Sequence, residues 1–225
     1  MVVIPQKDLR LAKSRLQLDP HARRSVARAL LRDTVAAAQA APGVGEVVVV
    51  FDRIHDLDTV DDLDVRAVLA DGPGLNEAIR HGERTARALH PRCGVASLPA
   101  DLPFIEPAVL ARALSCARAY DRAFVADAEC RGTTLLAATP GQALRPSYGT
   151  GSRAAHRRSG AYELNESDLA ALRFDVDHLD HLLLVATLVN HSHPHLSEAL
   201  GRLPLETYRC MPTAHTIPGG HRWVC

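Results

Sequence analysis

Short β-branched runs alternate along this chain with longer stretches of helical periodicity, and that alternation narrows the fold more than any other feature. Val47–Phe51 reads VVVVF, an unbroken apolar run of the kind found in strands covered on both faces. Val2–Pro5 and Val65–Leu69 read as strands too, the first beginning directly after Met1 and short for a central strand. Asp19-Pro20 opens a helix, with Asp as its cap and Pro at its first position. Val26, Leu30, Thr34 and Ala38 carry one apolar stripe to about Ala41, and Pro42-Gly43 stops it. The turn Asp71-Gly72-Pro73-Gly74 precedes a second helix over Leu75–Leu89, and a third is expected over Glu106–Ala119. Gly94–Leu98, Ala123–Ala126, Thr134–Ala138 and Leu172–Val176 read as further strands. Ser152–Ser159 predicts a short helix capped by Ser152, and Asp177 to about Leu188 a last one capped by Asp177. Strands and helices in this order predict an α/β fold, a three-layer α/β/α arrangement around a mostly parallel sheet.

A chain of 225 residues suits one domain with a sizeable core. Its zero net charge argues against a nucleic-acid partner, and only 4% aromatic residues leave few stacking platforms for bases. No signal peptide and no apolar run of membrane-spanning length occur, so the chain reads as cytoplasmic with no membrane partner. Five cysteines without a C-x-x-C read as reduced thiols, not as a disulfide framework. After Asn190 the apolar periodicity weakens and histidines and prolines accumulate. The domain is therefore expected over residues 1–190, with 191–225 an atypical His/Pro-rich tail, peripheral or disordered. His191-x-His193-x-His195 could hold a metal, although a matched ligand set is missing.

In open parallel sheets, ligands bind beyond the carboxyl ends of the strands. Lys7, Arg10, Lys13 and Arg15 all follow the first strand. Of 26 basic residues only Lys7 and Lys13 are lysine, so the compact ammonium is kept here while arginine serves elsewhere. That points to phosphate, the alternative being two solvated surface lysines. Asp101, Asp127, Asp175 and Asp177 fall at other strand ends. Asp101, Asp175 and Asp177 together offer hard oxygen ligands suited to Mg²⁺ bound with substrate phosphates. Simpler roles stay open for each: Asp101 as a turn residue, Asp177 as a helix cap, Asp175 as an arginine's ion-pair partner. Thr133 could be present for β-branching, Gly149 for a turn, and Asn76 to hold the turn that opens its helix.

The segments IPQKDLRLAKSRL, DGPGLNEA, LPADLP, DAECRGTT, PSYGTGSRAAH and LRFDVD occur in this order. Together they resemble the guanylyltransferases that make the phosphodiester precursor of coenzyme F(420), acting on 2-phospho-L-lactate or phosphoenolpyruvate. The likeness spans Val2 to Leu188; LPADLP is shared widely, whereas the combination with G-T-T and D-V-D is specific. It implies a nucleotide-diphospho-sugar-transferase-like nucleotidyltransferase fold. It also implies a reaction of GTP with a phosphorylated three-carbon acid, releasing pyrophosphate. By the same resemblance Lys7 holds the substrate phosphate, with Lys13 and Arg15 as companion cations. Thr133, Gly149 and Ser152 contact the acid, Gly74 and Asn76 lie in the nucleotide loop, and Asp101, Asp175 and Asp177 bind Mg²⁺. The downstream transferase of the pathway is the implied protein partner. Cys130 stands where the family pattern usually has glycine. A molybdopterin guanylyltransferase and a non-catalytic nucleotide-binding module are the rival readings.

Overall fold

The computed structural model describes residues 1–188 and 193–205. Among these residues seven strands form one sheet in the order β3-β2-β1-β4-β6-β5-β7. They are β1 (Val2–Gln6), β2 (Val47–Phe51), β3 (Arg66–Leu69), β4 (Val95–Ser97), β5 (Arg122–Ala126), β6 (Thr133–Ala138) and β7 (Tyr162–Glu163). Strands β1 to β4 are mutually parallel, β6 runs against both β4 and β5, and β7 is parallel to β5. The helices are α1 (Pro20–Ala40), α2 (Leu75–Leu89), α3 (Pro107–Ala117), α4 (Ser152–Arg158), α5 (Leu179–Leu188) and α6 (Pro194–Gly201).

The strand faces divide the core by residue parity, as pleating requires. Val2 and Ile4 of β1 pack with Leu31 and Val35 of α1 and Leu110 of α3. Val3, between them, packs on the other face with Ala78, Ile79 and Ala86 of α2. Asp19 caps α1 as expected, accepting from the backbone N of His21 and of Ala22 at 3.0 Å each. Strand β1 extends through Pro5, although proline cannot donate to a ladder. The register explains this: β4 pairs with β1 only at Val2 and Val3, so the β4 side is already open at Pro5. The same early end of β4 opens a cleft at the carboxyl ends of β1 and β4, where the strand order reverses.

Three expectations are corrected here. Leu172–Val176 is not a ladder strand: Ser167–Leu172 is a 3₁₀ turn and 173–176 crosses the sheet end without strand pairing. Here Leu172, Phe174 and Val176 are buried and Asp175 is partly exposed. Buried Arg173 donates to the carbonyls of Ala126 and Leu164, and β7 occupies the β5 edge. Neither Ser152 nor Asp177 is a helix cap, since Gly151 precedes α4 and α5 starts two residues beyond Asp177. The tail is not peripheral over its described part. Leu196, Ala199 and Leu200 of α6 are buried with Val26 and Leu30 of α1. Asp33 on α1 accepts from the backbone N of Leu196 at 2.8 Å, supplying the cap that α6 lacks in its own sequence. His193 bonds the Ile105 carbonyl and His195 lies beside Arg32, so these two face different partners; His191 lies outside the described residues. Residues 206–225, the rest of the expected tail, also lie outside them. Cys93 and Cys116 are free thiols.

Candidate active site

The loop from Lys7 to Leu16 leaves β1 and turns back across the cleft. Lys13 takes a left-handed conformation, φ 57°, which aims its side chain at the end of β4. There its ammonium meets Asp101 Oδ2 and the Val176 carbonyl and lies 3.8 Å from Asp177 Oδ1. Asp101 follows β4, and its backbone carbonyl accepts from the Val176 N at 3.2 Å. That bond ties the crossing segment to the cleft. One oxygen of each of Asp101, Asp175 and Asp177 lies within 4.8 Å of the others. Burial, then the charges of Asp101 and Asp177, push the Asp175 carboxyl up to about 8, with Lys13 opposing. Asp101 Oδ1 is buried with no hydrogen-bond partner. A converging set of hard oxygens, crowded by like charge and holding one unsatisfied acceptor, fits a divalent cation.

Lys7 and Arg15 are exposed on the same loop and make no ion pair among the described residues. Arg10 is taken up by buried Asp8, its Nε and Nη2 each 3.2 Å from a carboxylate oxygen. Asp127, read from sequence only as a polar strand end, has a local task. Its two oxygens accept from the backbone N of Arg131 and Gly132 at 2.8 and 2.7 Å, closing the β5–β6 hairpin. Cys130 in that hairpin adopts φ 57°, the conformation that explains why glycine suits the position.

Because β6 is antiparallel, its first residue lies at the same sheet end as the last residues of β4 and β5. Thr133 therefore opposes Ala126. Thr133 and Ser152 come together, Ser152 Oγ donating to Thr133 Oγ1 at 3.3 Å. Gly149, at φ 127° with open space where a Cβ would be, accepts from the Ser152 N at 3.0 Å. The Asn76 side chain is engaged within the protein. Its Oδ1 and Nδ2 bind the backbone N and carbonyl of Tyr148 at 2.7 and 3.0 Å, fixing the loop that carries Gly149. Gly74 precedes α2 at φ 92°.

Two neighbours of this group escaped the sequence reading. Tyr148 places its hydroxyl 2.8 Å from Ser97 Oγ at the end of β4. His156, fully buried, bonds Thr133 and Ser147. Its signal was available: His156 follows Ser152 by four residues, hence lies on the same helix face. A cavity of about 1020 Å³ lies at the opposite ends of the strands, lined by Met1, Cys93, Arg118 and Pro140 among others, away from the carboxylates.

No described helix is long and apolar enough to cross a membrane. A solved nucleotidyl transferase from Methanothermobacter thermautotroptrophicus superposes with a TM-score of 0.58 at 18% identity, over 88% of this chain and 97% of that one. A candidate nucleotide-diphospho-sugar transferase from Desulfovibrio desulfuricans G20 gives 0.66 at 15% identity, over 89% and 96%. These likenesses establish the fold. A phosphoenolpyruvate guanylyltransferase of Streptomyces scabiei is 48% identical over 189 residues, covering 80% of this chain and 87% of the relative. Its counterpart in Streptomyces coelicolor is 47% identical over 180 residues, covering 78% and 84%. The family described as guanylyl transferase CofC like matches residues 1–182. The chain thus belongs to the CofC-like guanylyltransferases and is a nucleotidyltransferase.

Proposed function

We propose that this enzyme joins GTP to phosphoenolpyruvate, giving enolpyruvyl-diphospho-guanosine and pyrophosphate, as a step of coenzyme F(420) biosynthesis. The observation that carries the reading is the convergence of Lys13, Asp101, Asp175 and Asp177 at the reversal of strand order. The names of the Streptomyces relatives supply the acid. A phosphate oxygen of the acid forms the new bond to the α-phosphorus of GTP. The bond from that phosphorus to the bridging oxygen breaks, and pyrophosphate leaves with the electron pair. The attacking oxygen is already anionic, so positioning and charge suffice and no general base is assigned.

Asp101, Asp175 and Asp177 would hold a divalent ion, with Mg²⁺ suited to their oxygens; bound there, it supplies positive charge against the phosphates. Lys7 and Arg15, which make no ion pair among the described residues, would meet incoming phosphate; Lys13 bridges the carboxylates to the loop. Thr133, Gly149 and Ser152 orient the acid, and Gly74 and Asn76 shape the nucleotide loop. The test is pyrophosphate release from GTP with phosphoenolpyruvate, 2-phospho-L-lactate and 3-phosphoglycerate in parallel, with and without Mg²⁺. Release with phosphoenolpyruvate, abolished by EDTA, is expected. Preference for 2-phospho-L-lactate would move the assignment to the other acid. GTP binding with no release from any acid would favour a binding module, and transfer only to molybdopterin the other guanylyltransferase.

A further inference from the structure

His156 joins three parts of the fold at one ring. Its Nε2 lies 2.9 Å from the backbone N of Ser147, a group that can only donate. Nε2 therefore presents its lone pair, and the neutral ring carries its proton on Nδ1. Nδ1 lies 2.9 Å from Thr133 Oγ1, so Thr133 accepts from it. Ser152 Oγ donates to the same oxygen at 3.3 Å. A hydroxyl oxygen that already accepts two hydrogen bonds has its own proton left to give. The ring is fully buried, with Phe124 and Tyr148 5.9 and 5.2 Å away between centroids. Burial, helped by Arg122, holds its conjugate acid down to about 4, which keeps this tautomer in place at neutral pH.

We propose that His156 is a positioning residue that makes Thr133 a committed hydrogen-bond donor, selecting an anionic oxygen of the acceptor acid. The proposal rests on the reading that Thr133 faces the acid. A hydroxyl free to rotate would accept as readily as donate and would tolerate a neutral, donor-bearing group in that place. The relay removes the choice, because both acceptor directions on Thr133 are filled from within the protein.

The test combines kinetics with a direct view of the tautomer. In the full chain, His156→Leu removes the Nδ1 donor, whereas His156→Asn keeps an N–H near that place. His156→Leu is expected to raise KM for phosphoenolpyruvate at least tenfold while KM for GTP stays within twofold, and His156→Asn to recover most of the loss. Thr133→Val, with His156 intact, should reproduce the selective effect should His156→Leu fail to fold. Nitrogen NMR of the parent should show Nε2 unprotonated and Nδ1 protonated at neutral pH. An Nε2–H tautomer, equal rises in both KM values, or unchanged kinetics in Thr133→Val would each overturn the proposal. A parent that releases no pyrophosphate with any acid would overturn the functional reading as well, which the parent assay reports separately.

Discussion

Asp101 answers to two demands, since one oxygen meets the Lys13 ammonium while the other is buried without a partner. Asp101→Asn keeps the shape and removes the charge. Turnover should fall at least about a hundredfold, roughly 2.7 kcal/mol of barrier, with the melting temperature nearly unchanged. Pyrophosphate release and calorimetry check this, and turnover within about twofold of the parent would remove Asp101 from the site. Lys7 makes a different case, being exposed and without an ion pair among the described residues. Lys7→Arg keeps the charge but replaces a point cation with a larger planar one. Such a change should leave GTP affinity intact and lower turnover with the acid, on the order of a hundredfold for a misplacement of about 1 Å. Equal turnover in mutant and parent would return Lys7 to the surface. At this scale Asp101 was legible because it follows the end of β4, where ligand sites form, whereas Asp175 and Asp177 were placed through a strand that the structure replaces with an unpaired crossing. The bonds that His156 and Asn76 make to the loop backbone, at Ser147 and Tyr148, were not legible, because no local pattern encodes the path of that loop.

Helix α6 shows how an element can be missed when its stabilising partner is remote. Its own sequence offers no cap, since Asp33 caps it from α1, 163 residues away along the chain. Leu196 is fully buried. Leu196→Ala should cost about 2–4 kcal/mol and lower the melting temperature by roughly 5–15 °C, read by thermal denaturation. A loss under about 0.5 kcal/mol would mean that α6 is loosely held. Helix α2 gives a prediction of opposite appearance. Gly82 sits mid-helix, where alanine would ordinarily gain about 1 kcal/mol. A Cβ there would run into Val3 and Val50 of the underlying strands. Gly82→Ala should therefore destabilise by about 1–3 kcal/mol, and a chemical denaturation curve shifted toward greater stability would show that the sheet gives way. Strands β1 and β2 and helices α1 and α2 were legible because burial on one or both faces writes a clear period. The 173–177 crossing was misread because extended backbone alternates in the same way whether or not it joins a ladder. The β5–β6 antiparallel pairing was hidden because apolar strands look alike in either direction.

For the molecule as a whole, the buried His156 couples the site to acid stability. Its folded-state value, about 4, lies below the ordinary 6.5. Between those values the unfolded chain binds more protons, so this group's contribution is fully present above about pH 6.5 and is lost as pH falls toward 4. The loss amounts to on the order of 3 kcal/mol, read as the difference in pH dependence between the parent and His156→Asn by denaturant unfolding. Parallel profiles would show that the ring titrates normally. The reversed direction of β6 has a wider result. It brings Thr133 to the site from the beginning of a strand, so Thr133, Gly149, Ser152 and His156 occupy one unbroken stretch. Lys7, Lys13, Asp101, Asp175 and Asp177 all lie outside that stretch. On the proposed roles, the residues that orient the acid and those that meet the phosphates lie in separate stretches of the chain. Substitutions within residues 133–156 can alter how the acid is oriented and leave the cations and carboxylates that meet the phosphates as they were.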